Sequence, residues 1–175
     1  MSILFEVYKK KILQNVSEYS KVEAIANSLK NYFNNTTTQE RIKLTHKFLA
    51  KSGEIQDIII DEAKRLGFET EKKRLFKNYK TAALRPDYYL KLSETTGILM
   101  EVERGKTVVN NMDLLDIWKC HICEYANYLF LIVPQHRHSG SGKMNATFEK
   151  VTKRVDSFFI ERNYINVDAV FLFGY

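Results

Sequence analysis

The spacing of apolar residues changes near Gly67, from a helical period before it to a strand period after it. Leu4 to Phe33 carries Val7, Ile12, Val16, Val22, Ile25, Ala26, Leu29 and Phe33 at roughly helical intervals and predicts a helix. Asn34, Asn35 and three threonines break it, and Thr37 or Thr38 is placed to cap a second helix running to about Leu49. Lys51-Ser52-Gly53 is a further break. From Glu54, the residues Ile55, Ile58, Ile59, Ala63 and Leu66 fall on one stripe, and Gly67 stands where a C-capping glycine belongs.

Phe68 to Phe76, Leu84 to Leu92 and Gly97 to Arg104 then predict three strands joined by short turns, an antiparallel meander. Asn110 or Asn111 caps a helix to about Ala126, with Met112, Leu115 and Ile122 as its packed stripe. Tyr128 to Val133 is an unbroken apolar run, the pattern of a strand buried on both faces, and Pro134 ends it. Gln135 to Lys143 predicts a polar loop, Asn145 to about Asn163 a helix, and Val167 to Phe173 a last buried strand. The order from Glu54 is α-β-β-β-α-β-α-β. It predicts an α/β fold with a mixed central sheet, meander plus parallel strands, flanked by helices. Residues 1–50 are expected to form a helical N-terminal extension to a core at 51–175, the whole making one compact unit.

Composition narrows the function classes. No apolar run approaches the ~20 residues that cross a bilayer, and Met1 to Lys11 lacks the pattern of a signal peptide. Two cysteines are too few to staple a secreted fold, so a cytoplasmic setting without a membrane is expected. No P-loop, Gly-x-Ser-x-Gly or dinucleotide fingerprint is present, so no organic cofactor is expected. Cys120 and Cys123 lack a second ligand pair for zinc and are read as buried thiols. His136 and His138 either contact DNA or a phosphate or simply belong to an exposed loop.

The net charge of +6 suits a phosphate-bearing partner. Its distribution is more telling. Lys72, Lys73, Arg74, Lys77, Lys80 and Arg85 crowd one short stretch, with Phe76 and Tyr79 interleaved. Lysines also protect exposed strand edges, but this stretch leads directly into a group of acids, which favours phosphate contact.

In Arg85-Pro86-Asp87-Tyr88-Tyr89-Leu90-Lys91, strand alternation puts Asp87, Tyr89 and Lys91 on one face. In Ile98-Leu99-Met100-Glu101-Val102-Glu103 it puts Leu99, Glu101 and Glu103 on one face and Ile98, Met100 and Val102 on the other. If Lys91 pairs with Gly97, Asp87 lies opposite Glu101; a shift of two residues places it opposite Glu103. Either register gathers three carboxylates. Acids on alternate strand positions also mark an ordinary solvent face, with Lys91, Arg104 and Lys106 to neutralise them. Gathered closely, however, they repel one another and raise one another's pKa. A divalent cation resolves this, and hard oxygen ligands suit magnesium, with the Val102 carbonyl as a further ligand. The matching chemistry is phosphodiester hydrolysis.

Pro86-Asp87 followed by Glu101-Val102-Glu103, in this element order, resembles the PD-(D/E)xK phosphodiesterase superfamily and its type II restriction endonucleases. The resemblance covers Glu54 to about Val133. It implies a restriction-endonuclease-like fold, with Asp87 and Glu101 holding Mg²⁺ (Mn²⁺ substituting). The third motif position is usually lysine; here it is Glu103, a variant that some restriction endonucleases carry. Glu103 then acts as general base or further metal ligand, and Lys106 or Lys91 supplies the positive charge. A further family acid on the helix before the meander maps to Glu54, with Glu62 the alternative; a glutamate in a first helical turn also simply suits the helix dipole. Lys119 either reaches a phosphate or is a solvated partner of Asp116 one turn earlier. The resemblance implies an Mg²⁺-dependent endonuclease on double-stranded DNA, acting as a homodimer. Two alternatives stand beside restriction: a repair or recombination nuclease of the same fold, and a non-catalytic DNA-binding protein on a decayed one.

Overall fold

A computed structural model of the chain describes residues 2–47, 52–70, 75–80, 84–138, 144–163 and 165–175. Leu4–Lys9 is a strand, β1, and not the start of a helix. Its sequence, Leu-Phe-Glu-Val-Tyr-Lys, is rich in strand formers, and Ile12, expected on the helical stripe, is 85% exposed. The helix α1 is Val16–Asn34 and starts where Asn15 accepts the Glu18 N–H at 3.0 Å. Tyr19, Val22, Ala26, Leu29 and Phe33 line its buried side. Asn35 ends it and caps α2, Thr36–Thr45, by accepting the Thr37 N–H at 2.9 Å. This cap lies two or three residues before the expected threonines, because the asparagine carbonyl reaches the free N–H of the first turn.

The third helix, α3, is Ser52–Arg65. Gly67 terminates it at φ 92°. The Phe68 N–H returns to the Ala63 carbonyl and the Gly67 N–H to that of Lys64, each at 2.9 Å. These two bonds form a Schellman cap, and the positive φ makes glycine the fitting residue.

The remaining strands are β2 Glu69–Thr70, β3 Tyr88–Lys91, β4 Gly97–Val102, β5 Tyr128–Val133, β6 His136–His138, β7 Met144–Ala146 and β8 Ala169–Gly174. Between them run α4, Met112–Ile122, and α5, Thr147–Asp156. The six-stranded sheet has the order β1-β8-β5-β4-β3-β2. As expected, β2, β3 and β4 form an antiparallel meander, and β5 and β8 add in parallel. The edge strand β1, antiparallel to β8, was not expected. Residues 75–78 form turns in place of the predicted strand continuation. The expected loop after Pro134 contains a two-stranded hairpin, β6–β7.

Alternation along the strands divides the core in two. Ile98, Met100, Val102, Phe130 and Phe171 face α1 and α3. Leu99, Leu129, Leu131 and Leu172 face α4 and α5, where Ile117, Cys120, Phe148 and Val151 meet them. Cys120 and Cys123 are buried thiols. No helix among the described residues is long and apolar enough to cross a membrane.

Gly97 holds the β3–β4 register. A Cβ at this position would lie 2.7 Å from the Tyr125 carbonyl oxygen and 2.8 Å from that of Leu90. Backbone oxygens cannot swing aside, so Gly97→Ala should destabilise the fold by about 1–3 kcal/mol. A urea titration reads this as a lower midpoint at unchanged slope; an unchanged midpoint contradicts it.

Candidate active site

Lys91 does pair with Gly97, and Tyr88 with Met100. Asp87, one residue before β3, therefore comes opposite Glu101. Pro86 has no N–H to offer the ladder, and the Asp87 side chain takes up pairing there. Its Oδ2 accepts the Val102 N–H at 2.8 Å, while its own N–H donates to Glu101 Oε2 at 3.3 Å. The Gln56 side chain of α3 also hydrogen-bonds Asp87. Glu103 follows β4, donating its N–H to the Ile132 carbonyl at 2.8 Å and accepting the Tyr175 hydroxyl on its own carbonyl at 3.0 Å.

Helix α4 completes the cluster. Asp113, Asp116, Ile117, Lys119 and Cys120 are its buried residues, while Leu115 and Trp118 are 37% and 39% exposed. Of the stripe expected to pack, Ile122 does rest against the core on this side while Leu115 is turned to solvent, so the side that faces the sheet is mainly the one bearing Asp113, Asp116 and Lys119. Lys119 is only 6% exposed. Its Nζ lies 2.5 Å from Glu101 Oε1 and 2.8 Å from Asp116 Oδ1. The expected partnership with Asp116 is present, but the lysine is not solvated. Asp116 is fully buried, and its Oδ2 has no hydrogen-bond partner among the described residues. The start of α4 is fixed from α5: Arg154 Nη1 lies 2.9 Å from Asp113 Oδ1, and Arg154 Nη2 donates to Asn111 Oδ1 at 3.1 Å.

Asp87, Glu101, Glu103 and Asp116 thus share one region with one buried ammonium. Burial raises the Glu101 carboxyl well above its ordinary range; the Asp116 charge adds to this and Lys119 opposes it. Burial, then the charges of Asp116 and Asp87, push Glu103 up to about 8. Burial raises Asp116 to about 6 against the pull of Lys119. Asp87 is raised by burial, with the Val102 N–H opposing. For Lys119, burial favours the neutral form, but the charges of Glu101 and Asp116 outweigh it and hold the proton on. The cluster is short of positive charge.

Asp87, Glu101, Glu103 and Lys119 line a cleft of about 630 Å³ together with Gln56, Arg85, Arg104 and Lys106. Lys106 is on an exposed turn at its edge. Arg85 is exposed on the cleft wall, and Arg104 is buried with its guanidinium donating to the Lys47 carbonyl. Lys77 and Lys80 are exposed on the segment whose Phe76 and Tyr79 pack on the α4 side of the core. Lys72, Lys73 and Arg74 lie outside the described residues. Glu54 is exposed in the first turn of α3 and is not among the cleft residues; Gln56 is the α3 residue that reaches in. Glu62 pairs with Arg65 at 2.7 Å, and Lys91 with Glu94 at 2.7 Å at the far end of the hairpin. Among the described residues no group of three or more His, Cys, Asp or Glu side chains is arranged to hold a metal ion. The donor set on the cleft wall is a pair of carboxylates, Asp87 and Glu101, the number by which magnesium is often held with its waters.

Asp116 is the site residue that sequence reasoning missed. Asp113, Asp116, Ile117 and Cys120 do fall on one helical stripe, but the more apolar stripe of Met112, Leu115 and Ile122 outweighs them until the acids of β4 are known to lie beneath.

No protein-family profile matches the chain, and no curated protein matches it. Among solved structures, the crystal structure of restriction endonuclease BglII complexed with a DNA 16-mer is similar with a TM-score of 0.49 and 13% identity, over 99% of this chain and 78% of that one.

A carboxyl whose folded pKa is raised stabilises the fold fully below its unfolded value and loses that contribution as pH rises through the folded value. For Glu103 the window runs from about 4.5 to about 8. In chelator-containing buffer, Glu103→Gln should gain melting temperature relative to the parent as pH rises across this window, by several degrees at its upper end. A difference that does not change with pH contradicts the raised Glu103 carboxyl.

Proposed function

We propose that the chain is a Mg²⁺-dependent endonuclease that hydrolyses phosphodiester bonds in duplex DNA. The observation that carries this reading is the register that sets Asp87 against Glu101 at the wall of a cleft shared with Lys119, Arg85 and Lys106. In this reading Asp87, Glu101 and the Val102 carbonyl hold the ion. The fit rests on the site's chemistry: paired hard oxygen donors whose pKa values are raised, chiefly by burial, so that a bound cation would favour their charged forms. When bound, the ion polarises a phosphoryl oxygen and activates water.

The protein's own groups take distinct parts. Lys119 stays protonated, so it serves as a hydrogen-bond donor and fixed positive charge and not as a base. It supplies from α4 the charge that the motif usually carries at the position of Glu103. Glu103, with its pKa near the working pH, suits the general base. Arg85, Lys106 and the basic segment at Lys77 and Lys80 contact the phosphate backbone. Within this activity, the Glu-x-Glu form of the motif favours a type II restriction endonuclease.

The test is plasmid cleavage with Mg²⁺. Asp87→Asn and Glu101→Gln should each reduce the rate at least ~1000-fold, and Lys119→Met about 100- to 1000-fold, the loss typical of a single electrostatic stabiliser. Cleavage at parental rate by Glu101→Gln would falsify the site assignment. Discrete fragments from a sequenced plasmid support restriction; cutting confined to branched substrates moves the reading to repair or recombination.

A further inference from the structure

Lys119 is neutralised twice. Its ammonium lies 2.5 Å from Glu101 Oε1 and 2.8 Å from Asp116 Oδ1, and both acids are buried. Glu101 alone would balance its charge. A second buried carboxylate is a further charge taken out of water, which costs stability unless something compensates it. Asp116 is 0% exposed, and its Oδ2 has no hydrogen-bond partner among the described residues. The other acid of α4, Asp113, is matched by Arg154. As part of a purely structural ion pair, Asp116 is therefore surplus.

The surplus has a use at Glu101. Both oxygens of that carboxylate are engaged, Oε1 by Lys119 and Oε2 by the Asp87 N–H at 3.3 Å. An ammonium on Oε1 repels any cation that Glu101 is to hold. If it leaves Glu101, Lys119 needs another partner or becomes a buried, unpaired charge. Among the described residues its ion pairs are with Glu101 and Asp116 alone. Asp116 is three residues away on the same helix, so this contact is made within α4 and does not depend on the sheet.

We propose that Asp116 is a positioning residue, which holds the Lys119 ammonium at the cleft wall when Glu101 is engaged by a cation. The assignment rests on the proposed function in taking Glu101 as a ligand. Asp116 acts through Lys119 in two ways. Drawing the ammonium off Oε1 frees that oxygen, and retaining it keeps a fixed positive charge beside the cleft that Lys119 lines. Without Asp116, the ammonium has Glu101 as its remaining partner and competes there with the cation.

Mn²⁺ is the probe, with the free ion read by electron paramagnetic resonance on DNA-free protein, so the measurement does not depend on cleavage. Asp116→Asn should weaken Mn²⁺ binding about 10- to 100-fold, as loss of a group that orients a metal site does. In a Lys119→Met background the same change should lose most of this effect, because no ammonium is left to hold; a double-mutant cycle reads the difference. A structural role alone would lower stability and leave Mn²⁺ affinity unmoved. In plasmid cleavage with Mg²⁺, Asp116→Asn should lower kcat with KM unchanged. Wild-type protein crystallised with Mn²⁺ should show the Lys119 ammonium withdrawn from Glu101 Oε1 and still within ~3 Å of Asp116. This readout needs no variant and so survives a folding failure. An Asp116→Asn variant that binds Mn²⁺ as the parent does, an equal loss in both backgrounds, or an ammonium that stays on Glu101 in the Mn²⁺-bound crystal overturns the assignment and leaves the nuclease reading in place. Wild-type protein that binds no Mn²⁺ and cuts no plasmid removes that reading and the assignment with it.

Discussion

A lysine ammonium enclosed by two carboxylates sets the arrangement of everything around it. Leaving a charge buried and unpaired costs several kcal/mol, so the position of Lys119 is tied to that of Glu101 and Asp116. Glu101 is on the central part of the sheet, and Asp116 and Lys119 are one turn apart on α4. The triad therefore fixes the rotation of α4 about its own axis. Every other side chain of that helix follows: Ile117 and Cys120 enter the core, and Leu115 and Trp118 must face out.

The rotation is held at a second point. Arg154 reaches from α5 to Asp113 and Asn111 at the start of α4. Asn111 has a positive φ of 55° and makes no side-chain cap, because its side-chain oxygen is engaged by Arg154. Two crossover helices on one face of the sheet are thus joined by charge as well as by apolar packing. On the opposite face α1 and α3 are held mainly by apolar contact, with Glu18 accepting the Thr96 hydroxyl and the Gln56 carbonyl accepting that of Tyr88, and the Gln56 side chain reaches Asp87. The sheet between them is buried on both sides through β4, β5 and β8, so Glu101 is carried by a fully buried strand.

Much of this was legible in the chain. Gly67 as a helix stop, the meander, the parallel additions and the meeting of Asp87 with Glu101 or Glu103 all follow from local rules, the positive φ of a cap, strand alternation and the length of a hairpin; the pairing of Lys91 with Gly97 then selects Glu101. The failures share a different cause. Leu4 to Lys9 has helical spacing of apolar residues by accident of a short window, and only the distant β8 decides that it is a strand. The facing of α4 differs from its periodicity because hydrophobic periodicity ranks apolar stripes first, and here an electrostatic constraint from another element overrides it. Lys119 was recognised as a partner of Asp116, three residues away, but its second partner, Glu101, is eighteen residues distant and belongs to the sheet. Lys91 and Lys106 were nearer in sequence to the motif, yet Lys91 is drawn off to Glu94.

In the reading proposed above, the same constraint lets a glutamate stand at position 103, where the motif that the sequence resembles usually has a lysine. A lysine at 103 and Lys119 would place two cations among Asp87, Glu101 and Asp116. With Glu103 there, the cluster keeps one ammonium and gains a carboxyl whose proton is lost only near pH 8. Burial first, and for Glu101, Glu103 and Asp116 the neighbouring carboxylates as well, leave each carboxyl above its ordinary pKa, an arrangement that costs stability where the charged forms are populated. Sequences depart from local consistency mainly where function requires it. Here the departures coincide: a charged helix face turned inward, an apolar face turned outward, and four acids about one lysine. One requirement accounts for all three, that a fixed positive charge be held against the acids of β4 from a helix and not from the strand itself.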